Sequence, residues 1–81
     1  KRNVRPIKNC LDKVNQLRAV LFEYTEKPDD QRAGLVAQDV EKVLPEAVFE
    51  TSGKKFVDYT AIIGLLVGAV NELVDKLEKG N

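Results

Sequence analysis

Few side chains in this 81-residue chain are equipped for chemistry, and the set is narrow. There is no histidine and one cysteine, so the usual nitrogen and sulfur ligands of a transition-metal site are missing and no metal is expected. One cysteine cannot form an intrachain disulfide, and Cys10 falls in an apolar helical register, which predicts burial rather than reactivity. No cluster of convergent polar groups and no cofactor motif stands out, so an enzyme acting on separate substrates is a poor reading and no cofactor is expected. Carboxylates and amides at element boundaries have structural uses. Asp58 is placed to cap a following helix, Gln38 and Asp39 to cap a shorter one, and Tyr59 to anchor the first turn after Asp58.

Charge narrows the partners further. Thirteen basic and thirteen acidic residues cancel, and the pairs Lys1-Arg2 and Lys54-Lys55 are too short to make a nucleic-acid patch. The longest apolar run, Ala61 to Val70, is short for a membrane span and is broken by Gly64 and Gly68. The length allows one domain, residues 1–81, with a core that is marginal by itself. The sequence contains no methionine, which predicts a piece of a longer polypeptide, most simply its C-terminal part.

The elements that must position these residues follow from periodicity. Pro6 suits a first helical turn, and Ile7, Cys10, Leu11, Val14 and Leu17 recur at helical spacing, predicting a helix over 6–18. Val20, Phe22 and Tyr24 alternate with Leu21, Glu23 and Thr25, which is a strand pattern over 19–25. A polar turn containing Pro28 spans 26–32, and a second antiparallel strand is expected over 33–37. A two-turn helix over 38–44 stops at Pro45. A hairpin about Ser52-Gly53 joins strands over 47–51 and 55–59, and a long helix runs from Tyr59 to Lys79, with Gly80 as its stop. The fold class is α+β: a small antiparallel sheet with an N-terminal helix, a short middle helix and a long C-terminal helix.

That last helix is too apolar for so small a domain. Ile63, Val67, Val70, Val74 and Leu77 form one heptad stripe, and Ile62, Leu66, Ala69 and Leu73 form another one residue earlier. One stripe is expected to pack on the chain itself and the first to form an oligomer interface of coiled-coil type. Stripe composition leaves dimer and trimer both open. Gly64 and Gly68 each cost about 1 kcal/mol relative to alanine, which predicts close backbone approach at these positions.

The order of motifs resembles a known family. Lys1-Arg2-Asn3-Val4-Arg5-Pro6-Ile7 opens the chain, and Val20-Leu21-Phe22-Glu23-Tyr24 follows a leucine-containing helix. The Gly34 to Glu46 block and Val57-Asp58-Tyr59 before a hydrophobic helix complete the pattern. It is similar to the C-terminal intramolecular chaperone domain of endosialidases, phage tail fibres and tailspikes, also found in myelin regulatory factor. Tyr24 stands where that family commonly has tryptophan, and Cys10 is unusual in the first helix.

The resemblance implies an intertwined homotrimer that drives folding of the upstream fibre or spike segment of the same polypeptide and is then cut off. It implies a Ser-Lys dyad in which Lys1 matches the lysine base, the serine lying just upstream in a Ser-Asp sequence that this chain does not contain. A lysine can serve as base only when burial or neighbouring positive charge lowers its pKa. The chain as written is therefore expected to be unable to cut and inactive. Asn3, Gln38, Asp58 and Tyr59 match recurrent positions and are expected to be structural. The setting implied is the bacterial host cytoplasm during virion assembly, with the released domain absent from the mature virion. The alternative is a permanent trimerisation or partner-binding module without proteolysis.

Overall fold

The computed structural model describes residues 1–80. Within them the chain order is α1 (Cys10–Val14), β1 (Ala19–Tyr24), β2 (Lys27–Leu35), α2 (Ala37–Val43), a single 3-10 turn (Pro45–Ala47), β3 (Val48–Thr51), β4 (Lys54–Val57) and α3 (Tyr59–Glu78). The class is α+β, as the sequence predicts. The strands form two separate antiparallel hairpins, β1–β2 and β3–β4, rather than one sheet.

The first helix is much shorter than its periodicity suggests. Asn9 takes a left-handed conformation, φ 57°, so no helix can run through it from Pro6, and residues 1–8 form an exposed segment. At the other end, Gln16 and Leu17 donate to carbonyls three residues back, Lys13 and Val14. The last turn tightens in this way and releases the chain into β1. The apolar spacing from Ile7 to Leu17 is thus used by the backbone for only about one and a half turns, over Cys10–Val14.

β1 and β2 are joined by Thr25 and Glu26, and β2 reaches back to Lys27 through the segment expected to be a turn. The pairing explains how a strand tolerates Pro28. Glu23 faces Gln31 but Tyr24 faces Lys27, so Pro28, Asp29 and Asp30 bulge out of register. The β3–β4 turn has positive φ at both Ser52, 53°, and Gly53, 77°. That geometry matches the twist of the flanking strands.

The core is a small cluster of Cys10, Val40, Leu44, Ala47, Ile62, Leu65 and Ala69. It lies where α1 and the α2–Pro45 turn meet the first half of α3. On α3 the buried stripe is Ile62, Leu65 and Ala69, not the predicted Ile62, Leu66, Ala69 and Leu73; Leu66 and Leu73 are 44% and 45% exposed. The crossing of α1 decides this. It packs against the side of α3 that carries Gly68, where the Cys10 sulfur fills the space a Cβ would need. Among the described residues, nothing beyond the adjacent helix backbone and chain neighbours comes within 4 Å of where a Cβ would stand on Gly64, so of the two glycines Gly68 has the expected close approach.

The outcome is thin and open. The extents are 49 × 32 × 18 Å and the radius of gyration is 15.2 Å, against about 12 Å for a compact chain of this length. The accessible surface is 6584 Å², about a third more than the ~4,900 Å² expected of a compact monomer of this mass.

Candidate functional site

α3 organises the functional surface. It starts at Asp58, whose carboxylate accepts the Thr60 N–H at 3.0 Å, closing an orphan donor of the first turn. Tyr59 does more than anchor that turn. Its hydroxyl accepts the Leu35 N–H at 3.0 Å, tying the end of β2 to the start of α3. The hydroxyl lies so close to Gly34 that a Cβ there would fall 2.5 Å from it. The glycine that opens the Gly34 to Glu46 block is thus the seat of the Tyr59 side chain.

The exposed side of α3 is apolar along its length. Ile63, Val67, Val70, Val74 and Leu77 are 61%, 56%, 57%, 45% and 66% exposed. With Leu66 and Leu73 they cover an arc of about 120°, taking about 100° of rotation per residue. The chain's own core takes up an adjacent arc of similar width, and polar residues such as Asn71, Asp75 and Glu78 occupy the remainder. An open groove of 680 Å³ continues the apolar surface sideways from Leu66, bounded by Val14 and Leu17, by Val20 and Leu21 of β1, and by Leu35.

On the opposite side of α3, Glu72 makes a contact that sequence reading missed. Its carboxylate accepts the N–H groups of Cys10 at 2.7 Å and Leu11 at 3.0 Å, capping α1 from 62 residues away. Asn9, the N-cap residue of α1, offers no side-chain cap of its own. The Leu11 and Cys10 amides hold the Glu72 carboxyl below its ordinary range, against a smaller opposing effect of burial. Burial and the Glu72 charge both push the Cys10 thiol up, and its S–H donates to the Ile7 carbonyl at 3.2 Å. One signal in the sequence points to Glu72. It continues the buried spacing Ile62, Leu65, Ala69 as a charged residue in a core register, which demands a partner.

The middle block is held by ion pairs. Arg18 donates to both carboxylate oxygens of Asp39, at 2.8 and 3.3 Å, joining the entry to β1 with α2. This contact keeps the Asp39 carboxyl below its usual range. Lys55 reaches Glu41 at 2.7 Å, joining β4 to α2.

The remaining predicted site residues are placed as follows. Gln38 does not cap α2; the helix begins at Ala37 with Val36 as its N-cap and no side-chain cap bond. Starting one residue earlier than expected puts Gln38 inside the first turn rather than ahead of it. Asn3 has φ 55° and its carbonyl accepts from the Arg5 guanidinium at 3.2 Å, a local turn within the exposed segment. Lys1 is exposed at the start of that segment. Residues 2–8 run alongside Val43, Leu44 and Pro45 and face Gly64. The only serine of the sequence, Ser52, sits in the β3–β4 turn and not beside Lys1 in the chain. Among the described residues no group of three or more His, Cys, Asp or Glu could hold a metal ion.

Fold and surface together define a small α+β domain built around one long helix with a large uncovered apolar face. The chain belongs to the chaperone of endosialidase family, whose model matches residues 1–49. It is 40% identical over 98% of its length to the long tail fiber protein Gp37 of Enterobacteria phage K3, and equally to the long tail fiber protein Gp37 of Enterobacteria phage T2. The chain spans 7% of the length of each of these relatives. The family match runs from the N-terminal segment to the start of β3, and the tail fibre matches extend over α3 as well.

Proposed function

We propose that the chain is an intramolecular chaperone that trimerises, drives folding and assembly of an upstream phage tail fibre or spike segment, and is then released by autoproteolysis. The observation that carries this reading is the uncovered apolar arc of α3, from Ile63 to Leu77. A monomer gains nothing by leaving it in water, at about 25 cal/mol per Å² of apolar surface. Family membership and the tail fibre relatives supply the context in which such a face is useful.

The physical logic is kinetic. Long fibres made of nonlocal contacts assemble slowly and expose adhesive surfaces on the way. A terminal domain that associates early raises the effective concentration of the fibre chains for one another. Cutting the domain off afterwards removes the route back and gives the product kinetic stability.

In the cutting step, a serine just upstream of Lys1 attacks the carbonyl that precedes it, and the Lys1 amine takes the hydroxyl proton. The C–O bond forms, the C–N bond breaks, and the Lys1 ammonium returns the proton to the leaving nitrogen, giving an ester and a free serine amino group. Water then hydrolyses the ester to a carboxylate and restores the hydroxyl, so the net change is hydrolysis of one peptide bond. Lys1 is exposed in the single chain. Packing of copies around the N-terminal segment would supply the burial a lysine base requires, so that cutting follows assembly.

The test uses this chain and a version extended upstream through the Ser-Asp sequence. Light scattering is expected to give three times the 9.1 kDa chain mass, and Val70→Glu is expected to return a folded monomer. In the extended chain, Lys1→Ala is expected to slow cutting by about 100–10,000-fold while leaving the assembled mass unchanged. A monomeric parent chain overturns trimerisation. Cutting by Lys1→Ala at the parent rate overturns the dyad, and an assembled extended chain that never cuts favours the permanent module.

A further inference from the structure

The uncovered arc of α3 has two unlike flanks. Leu66 and Leu73 lie along one edge, Val67 and Val74 along the other, with Val70 between them, as about 100° per residue requires. The groove bounded by Leu17, Val20, Leu21 and Leu35 opens beside the leucine edge, and Val67 does not line it. Leu21 projects from β1 at 68% exposure, and among the described residues no charged one lines the groove.

We propose that this groove is the seat of the valine edge of a second copy of the chain, with Val67 of one copy packed beside Leu21 of the next. The inference rests on the self-assembly reading above and adds which surfaces meet. Two observations favour this occupant. A symmetric face-to-face pairing of two α3 helices would cover Val70 and leave the 680 Å³ groove without partner atoms, forfeiting its dispersion contacts. The surface in excess of a compact monomer, about 1,700 Å², is about twice the ~800 Å² that one partner contributes to a standard interface. The groove and the valine edge lie within that surface as two unlike patches, one for each neighbour. Unlike patches that meet edge to edge make a heterologous contact, which closes into a ring by rotation about an axis facing Val70.

The test is thiol cross-linking of the assembled chain with a short bismaleimide. Leu21 and Val67 are both exposed, so Leu21→Cys and Val67→Cys are expected to keep the fold, checked by far-ultraviolet circular dichroism. The parent, whose Cys10 is buried, is the control for background reaction. The double variant is expected to give covalent species larger than a dimer, and each single variant none. Mixing the two single variants before assembly is expected to give covalent dimers. Cross-linking by Val67→Cys alone, or an assembled double variant that does not cross-link, overturns the groove contact while leaving self-assembly standing. A chain that light scattering shows to be monomeric at every concentration overturns both.

Discussion

The Glu72 carboxylate accepts the Cys10 N–H at 2.7 Å, across 62 residues of chain. With the Leu11 N–H at 3.0 Å, the contact makes one side chain of α3 the N-terminal cap of α1. A five-residue helix has little stability of its own, so α1 exists because α3 supplies both its packing surface and its cap. The segment that carries Lys1 leads directly into that helix, which ties its placement to α3.

Replacement of Glu72 should produce a pH-dependent loss of stability. The folded state holds this carboxyl below its ordinary 4.5. Its contribution is therefore complete above the unfolded value and is lost as pH falls through the lower folded value. Glu72→Gln is expected to lower the urea midpoint relative to the parent near neutral pH. The gap should narrow steadily as both proteins are taken to lower pH, because the protonated carboxyl and the amide are then alike in charge. A gap that stays constant as pH falls would show that charge at Glu72 does not matter.

The two glycines of α3 should respond in opposite directions. A Cβ on Gly68 would run into the sulfur of the buried Cys10 and lie 3.1 Å from its Cβ. Gly68→Ala is expected to destabilise by about 1–3 kcal/mol despite the better helix propensity of alanine. Gly64 has open space at the same position, and Gly64→Ala is expected to stabilise the chain by up to about 1 kcal/mol. Thermal melts of the two variants, with Cys10→Ala added to Gly68→Ala as a rescue, measure both signs.

Gly34 and Tyr59 should be coupled. Gly34→Ala forces a Cβ against the Tyr59 hydroxyl and is expected to cost about 1–3 kcal/mol. Tyr59→Phe loses the bond from the Leu35 N–H, at about 1 kcal/mol, but empties the space the new methyl needs. The double variant should therefore be less destabilised than the sum of the singles, and strictly additive costs in a double-mutant cycle would contradict the contact.

Much of the fold is legible in short stretches. The alternation of Val20 and Phe22 puts both on the half-buried side of β1, and Ser52-Gly53 marks a turn that both residues serve with positive φ. Asp58 announces α3, and the run Ile63, Val67, Val70, Val74, Leu77 announces its uncovered face. Other features mislead because a local pattern is overruled at a distance or at a single residue. The helical spacing from Ile7 to Leu17 is interrupted by the left-handed Asn9, and Pro28 is absorbed by a bulge that exists only because β1 is its partner.

By itself, then, the sequence determined the order and kind of most elements and the surplus of apolar residues on the last helix. These depend on periodicity and turn chemistry within a few residues, where the physics is local. Only the tertiary structure decided which arc of α3 is spent on the core: Leu65 in place of Leu66, Gly68 under Cys10, and Glu72 turned inward to cap α1. Two apolar stripes one residue apart are equivalent to a helix wheel. The crossing of α1 breaks that equivalence, because a helix can approach closely only where the facing residue is as small as Gly68.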